Sequence, residues 1–286
     1  MSEMTQGDTI QASWLCPVCQ QTLTWQQSVW RCPQMHSYDR AKEGYVNLLL
    51  AQHKNSKDPG DNKDMVLARR AFLEEEHYLP LASKIGDLLH TYCEQQGTLH
   101  VFDAGCGEGY YLAKIKQQLV AAGRNINASA SDISKPAIQK AAKKHPDIAY
   151  AVASSFSLPL ASASQNALIQ VFAPASPSEI QRVLADKGYW LSVNPAPEHL
   201  FALKQRVYDT PEKHPLDNTV PEGFNLILQT RLSFDIALDT LQQRQNLLMM
   251  TPFYWTISAD KKRLLLDDLH AVSTDFDIKV MQKKPD

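Results

Sequence analysis

No stretch of this chain approaches the roughly eighteen consecutive apolar residues needed to cross a bilayer, and its first residues lack a basic segment followed by an apolar core. A soluble, unexported, cytoplasmic protein is the expectation. Cysteine is scarce, five in 286 residues, and the spacings give no disulfide framework of the kind that staples small secreted domains. A reducing compartment suits it. Net charge is nearly absent, formally −2, so no global attraction to a polyanion operates and any nucleic-acid contact needs a local basic surface. Neither DNA nor a membrane is an expected partner. What remains, 286 residues with 44% hydrophobic content, fits one ordinary α/β domain and a small module.

The small module announces itself through the few cysteines there are. Cys16-Pro-Val-Cys19 and Cys32-Pro-Gln-Met-His36 each place two soft ligands at the ends of a tight turn. Three thiolates and one imidazole fill a tetrahedral shell and leave no position open for water, so the site they predict is one structural Zn2+ rather than a catalytic metal. Between the halves, Leu23, Trp25, Val29 and Trp30 flank Gln26-Gln27-Ser28, which predicts a β-hairpin. About forty residues bury too little surface to fold unaided, so metal binding is expected to supply folding free energy of roughly 10 kcal/mol or more.

Along the chain, residues 1–12 read as a flexible lead-in, 13–50 as the zinc-binding β module, 51–96 as a linker with helices, and 97–286 as the large domain. Asp58-Pro59-Gly60-Asp61 is a strong turn signal in the linker, and apolar residues at helical intervals predict helices over 65–72 and 79–92. Then strands and helices alternate. Strand 99–102 ends at Asp103, and helix 110–120 follows; strand 128–131 ends at Asp132, and Ser134-Lys135-Pro136 opens a helix to about 144. Strands 148–153 and 167–172, a helix over 179–184, a turn at Asp186-Lys187-Gly188 and strand 189–193 continue the series. Strand 226–234, a helix over 238–249 and strand 277–280 are expected to complete the sheet. Such alternation predicts a Rossmann-like, mostly parallel, doubly wound sheet with its ligand at the carboxyl ends of the strands.

Asp103-Ala-Gly105-Cys106-Gly107-Glu108-Gly109 is the loop between the first strand and its helix. Its glycines permit a tight turn and are expected to bring backbone N–H groups against a ligand. A dinucleotide loop needs Gly-x-Gly-x-x-Gly, but the third glycine stands one position early and Tyr110 occupies its place. A P-loop is excluded because no Gly-Lys-Ser/Thr follows. The ligand expected is one without phosphates. Cys106 reads as a packing residue rather than a nucleophile. A loop from an unrelated α/β enzyme, with Asp132 only capping a helix, is the alternative.

That loop resembles the first motif of S-adenosylmethionine-dependent methyltransferases. The zinc quartet, Ala-Lys-Glu-Gly-Tyr-Val-Asn-Leu-Leu at 41–49, Asp-Pro-Gly-Asp at 58–61, Ala-Arg-Arg-Ala-Phe-Leu at 68–73, Gly-Cys-Gly-Glu-Gly-Tyr-Tyr at 105–111, Phe-Ala-Pro at 172–174 and Met-Thr-Pro-Phe at 250–253 together resemble the bacterial RlmA family of 23S rRNA guanine-N1 methyltransferases, its Gram-negative branch most nearly. The resemblance implies methyl transfer from S-adenosylmethionine to N1 of a guanine in a hairpin loop of 23S rRNA, and homodimers. It implies zinc on Cys16, Cys19, Cys32 and His36. It further implies cofactor contacts at Tyr78, at Gly107 and Glu108 and at His199, while the methyltransferase motif implies that the loop of Asp103, Gly105 and Gly109 cradles the methionine part, Asp103 orienting it, and that Asp132 accepts from both ribose hydroxyls. No catalytic residue follows from it. Ala173-Pro174 stands where amino-group methyltransferases carry Asn/Asp-Pro-Pro-Tyr, which agrees with transfer to a ring nitrogen, where a single proton must leave. Lys42, Lys54, Lys57, Arg69 and Arg70 with Tyr45, Trp25 and Trp30 are candidates for a basic and aromatic RNA surface, a solvated charged face being the alternative. A small-molecule or protein methyltransferase, a non-catalytic zinc RNA-binding protein and an NAD oxidoreductase are the competing readings.

Overall fold

A computed structural model describes residues 13–50, 63–93 and 97–285. The lead-in, the Asp58-Pro59-Gly60-Asp61 turn, Lys54 and Lys57 lie outside the described residues. The hairpin forms where expected: β1 (Thr24–Gln26) pairs with β2 (Val29–Arg31), Trp25 opposite Trp30, and β3 (Ser37–Asp39) adds a third antiparallel strand. β4 (Val46–Asn47) leaves this small sheet for the large one.

Helices α1 (Lys63–Glu74) and α2 (Leu79–Tyr92) precede β5 (Leu99–Ala104), α3 (Tyr110–Ala121), β6 (Ile126–Asp132), α4 (Lys135–Lys144), β7 (Ala149–Val152), β8 (Gln165–Val171), α5 (Pro177–Val183) and β9 (Leu184–Pro195). Then come α6 (Phe201–Val207), β10 (Phe224–Ala237), α7 (Leu241–Met249), a 3-10 turn (Pro252–Trp255), α8 (Ala259–Asp268) and β11 (Ala271–Lys283). The caps follow from side-chain chemistry. Ser134, Ser176, Thr240 and Ser258 each accept from the N–H three residues on, which satisfies one of the donors a helix start leaves open.

The large sheet has the order β10-β11-β9-β8-β5-β6-β7-β4. All pairs from β9 to β4 are parallel, and β11 runs antiparallel between β9 and β10. The doubly wound expectation is met. The turn expected at Asp186-Lys187-Gly188 is not: β9 runs through it as a single strand, with the register against β8 jumping from Gln165↔Leu184 to Ala167↔Tyr189. Lys187 takes a φ of 60°, and a Cβ on Gly188 would meet the Ala185 carbonyl oxygen at 2.9 Å. The turn residues therefore make a bulge that extra pairing on both sides holds inside the strand. Helices α6 and α8 were not anticipated. α8 buries only Leu265 and so lacks the apolar stripe by which a sequence betrays a helix.

Alternation along β5 divides the core. Leu99 and Val101 face α2 and α3, whose Leu81, Ile85, Leu89, Leu112, Ile115 and Leu119 are almost wholly buried. Phe102 and Ala104 face the other way, toward Ile180 and Val183 of α5 and toward Trp14, Cys16, Leu23 and Cys32 of the amino-terminal module. Trp14 meets Phe102 edge to face at 6.5 Å, and its backbone bridges Leu160. The module is thus docked on one face of the sheet by apolar burial, where each large side chain contributes about 1.5–3 kcal/mol. Among the described residues no helix is long and apolar enough to cross a membrane.

Candidate active site and metal centre

The four metal-ligand candidates converge. One ligand atom from each of Cys16, Cys19, Cys32 and His36 lies within 4.8 Å of all the others, with Cys19 Sγ–Cys32 Sγ at 3.5 Å and His36 Nδ1 at 3.4 and 3.6 Å from Cys32 and Cys16 Sγ. A tetrahedron with metal–sulfur bonds near 2.3 Å has edges of about 3.7 Å, so the donors fit zinc. Two turns set them: Gln20 N–H donates to Cys16 O, Met35 N–H donates to Cys32 O, and Gln20 and Met35 adopt left-handed φ values of 58° and 66°. Tyr38 Oη stands 3.3 Å from Cys16 Sγ as a partner outside the ligand shell, a residue the spacing rule has no means of finding.

A cavity of about 840 Å³ opens at the carboxyl ends of β5, β6, β8 and β9. Tyr78, Asp103, Gly105, Gly107, Glu108, Asp132 and His199 line it. Gly109 does not: it caps α3 at φ 77°, and a Cβ there would meet Tyr150 Oη at 2.4 Å, so its lack of a side chain serves packing. Gly105, at φ 80°, lets the loop pass Ala173, whose Cβ would lie 2.3 Å from an added one.

The loop amides differ from expectation. Gly105 and Cys106 N–H donate to Ser131 O, Gly107 N–H to Asp132 Oδ2 at 2.8 Å, and Gly109 N–H to Cys106 O. These donors are consumed within the fold and do not present themselves to a ligand, which is the opposite of a phosphate cradle and agrees with a phosphate-free ligand. Asp132 takes a second bond from Ser134 N–H at 2.8 Å, while Ser134 itself caps α4.

Asp103 is buried, its Oδ2 has no hydrogen-bond partner among the described residues, and burial, then the nearby Asp132 charge, hold its pKa well above the usual carboxylate range. Burial also raises Glu108, which stands 3.4 Å from Lys140 Nζ. Cys106 is buried with its thiol pushed well up, first by burial and then by Asp103, so it is a packing residue as expected. Tyr78 packs edge to face on Phe72 and Phe276, each at 5.2 Å. His199 sits between Phe276 at 4.9 Å and Phe172 at 5.6 Å, and burial, then the neighbouring His214, bring its pKa down to about 4. Phe172 adopts φ 55°, and the loop after it is tied down: Trp190 Nε1 donates to Gln170 Oε1, Gln170 Nε2 donates to Ala173 O, and Ser155 Oγ donates to Pro174 O.

The same cavity is also lined by Lys204, Tyr208, His214 and the 250–253 segment. Only the tertiary structure brings α6 and these loops to the site. The basic and aromatic surface is also rearranged. Arg69 lines the cavity, Arg70 pairs with Glu74 at 2.8 Å, and Tyr45 is buried, while Trp25, Trp30 and Arg40 stack together on the module. No residue of 13–50 lines the cavity, so the module stands on the sheet rather than as a lid over the cleft.

Comparison with known proteins agrees with this architecture. Residues 14–57 match the zinc-ribbon family model described as RlmA, N-terminal, and residues 101–188 match a methyltransferase domain model. The chain is 34% identical over 230 residues to the 23S rRNA (guanine(748)-N(1))-methyltransferase of Streptomyces fradiae, covering 78% of this chain and 79% of that one. It is 35% identical over 209 residues, 67% of this chain and 68% of the other, to a Micromonospora griseorubida protein named "Putative 23S rRNA (guanine-N(1)-)-methyltransferase". A Bacillus subtilis (strain 168) protein named "Putative 23S rRNA (guanine-N(1)-)-methyltransferase YxjB" is 27% identical over 277 residues, 94% of this chain and 96% of that one. The chain belongs to the RlmA-type family of 23S rRNA (guanine-N1)-methyltransferases, with S-adenosylmethionine as cofactor and one zinc site.

Proposed function

We propose that this protein transfers a methyl group from S-adenosylmethionine to N1 of a guanine in a hairpin loop of 23S rRNA, in the cytoplasm and as a homodimer. The observation that carries the reading is one cavity of about 840 Å³ lined both by the glycine bend and Asp132 and by Lys204, His214 and the 250–253 segment. Two reactants need two adjoining places, and the volume lies at the upper end of ordinary ligand sites. The zinc module of 13–50 and the methyl-transfer domain of 97–286 would divide the work, the exposed Trp25 beside Arg40 offering a stacking and cationic surface for RNA. The half-exposed Leu226 and Ile227 on the outer strand β10 supply apolar surface that a second copy would cover.

In this reading Asp132 accepts the ribose hydroxyls, and Asp103 Oδ2, which has no partner among the described residues, and the ring of Tyr78 hold the amino-acid end. Glu108 and the Gly105-Gly107 turn close the wall around it. The bound cofactor supplies an electrophilic methyl group on a sulfonium. The chain's part is alignment: Phe172, held at its unusual φ by the Ala173 and Pro174 anchors, and the neutral His199 fix one wall of the cavity. Orientation of two reactants is worth up to about 7–11 kcal/mol. A loop guanine is also less costly to extrude than a stacked duplex base.

Tritiated S-adenosylmethionine incubated with separate pools of ribosomal RNA, tRNA and protein tests the reading. Label in ribosomal RNA, recovered as 1-methylguanosine after digestion, is the expected result. Label confined to protein or small molecules, or none in any pool, overturns it. Light scattering during gel filtration gives the oligomeric state, with a mass twice that of the chain expected.

A further inference from the structure

Lys204 is a buried cation that forms no ion pair among the described residues. It is 9% exposed and lines the cavity, and its Nζ donates to the backbone oxygen of Glu212 at 3.0 Å. Among the described residues it makes no ion pair and no second hydrogen bond, which leaves two of the three ammonium donors for something else. Burial lowers its pKa, offset in part by Glu212. Glu212 lines the same cavity and its charge acts on the ammonium, His199 and His214 stand 6.3 Å apart ring to ring and are both lowered by burial, and among the described residues no carboxylate lies within ion-pair distance of Lys204. An ammonium is retained in such a place only when a partner with excess negative charge arrives.

The proposed reaction supplies one. Guanine N1 carries a hydrogen, and its lone pair becomes available for bonding only as that proton leaves. The proton passes to solvent water, and the charge left behind is shared between N1 and the carbonyl oxygen O6. N1 then forms its bond to the methyl carbon while the carbon–sulfur bond breaks and its electron pair returns to sulfur. We infer that Lys204 is a catalytic residue of this site, donating to guanine O6 and stabilising the charge that builds there as N1 loses its proton. The inference rests on the guanine-N1 reading above. It gives the remaining ammonium donors a partner and places preorganised positive charge where negative charge develops.

The test compares the full-length, zinc-loaded wild type with Lys204→Gln, which keeps a donor for Glu212 O, and with Lys204→Met and Lys204→Arg, on deproteinised 23S rRNA. Loss of the charge is expected to move the pH–rate profile up by about one unit and to lower kcat at neutral pH about tenfold, while Arg stays near the wild type. Affinity for S-adenosylhomocysteine, measured by calorimetry, is expected to hold in every variant and shows that each is folded. Profiles of the Gln and Met variants that superimpose on the wild type overturn the role. So does a fall in S-adenosylhomocysteine affinity with an unmoved profile, which would assign Lys204 to the cofactor carboxylate. Failure of the functional reading is distinguishable, because then the wild type itself yields no 1-methylguanosine.

Discussion

The backbone N–H of Asp275 donates to Nδ1 of His199 at 3.3 Å, across 76 residues of sequence. The bond makes Nδ1 an acceptor and leaves Nε2 as the protonated nitrogen of a neutral ring. Asp275 is itself immobilised: its carboxylate accepts from Arg231, from Ser233 Oγ at 2.8 Å and from Glu198 N–H at 3.0 Å. One residue of β11 therefore holds both the imidazole and the loop that carries it.

His199 should make stability depend on acidity. Its pKa falls from 6.5 unfolded to about 4 folded, so the unfolded chain binds the proton more readily. The contribution is fully present above pH 6.5 and is lost as pH falls toward 4, in total about 3 kcal/mol. Urea unfolding of the wild type and His199→Asn between pH 4 and 7.5 checks this. The two curves should converge on acidification, and parallel curves would mean the ring is not buried as a neutral group.

Asp132→Ala should weaken S-adenosylhomocysteine binding about tenfold or more, through loss of charge-assisted bonds worth about 1.5–3 kcal/mol each. It should also lower Tm, because Gly107 and Ser134 N–H lose their acceptor. Calorimetry and thermal melting together decide the point. Unchanged affinity would remove the ribose assignment while leaving the loop-anchoring role.

Gly105→Ala should destabilise by about 1–3 kcal/mol, since its Cβ would lie 2.3 Å from that of Ala173 at a φ of 80°. Adding Ala173→Gly should recover the steric part and not the backbone strain, about 1 kcal/mol. A double-mutant cycle on denaturant midpoints should therefore show coupling above about 0.5 kcal/mol. Strict additivity would rule out the contact.

Stripping zinc with a chelator should unfold the segment around Cys16, Cys19, Cys32 and His36 and expose Trp14, now 2% exposed against Phe102. A red shift in tryptophan emission should follow. S-adenosylhomocysteine affinity should largely persist, because no residue of 13–50 lines the cavity. Parallel loss of both signals would show that the docked module props the sheet open for the cofactor.

Much of this molecule is written in short-range patterns. The metal quartet, the strand–glycine–helix unit at 99–121 and the acidic end of β6 each depend on spacings of a few residues, which backbone geometry converts directly into position. Adjacent residues can still diverge. Arg69 and Arg70 are neighbours in sequence, yet one turns to the cavity and the other to Glu74, because successive helix positions point about 100° apart. Tyr38 reaches Cys16 only through the pairing of β3 with β2.

By itself the sequence determined the ligand set for zinc, the parallel β/α repeat and the loop that refuses a dinucleotide, since each is fixed by local stereochemistry. Tertiary structure alone decided that the amino-terminal module stands on the sheet face and that Lys204 and His214 share a chamber with Asp132. It also brought Asp275 to His199, because β11, the last strand in the chain, enters the sheet antiparallel between β9 and β10. Contacts of that range follow from how whole elements bury their apolar faces against one another, and no spacing within a single element encodes them.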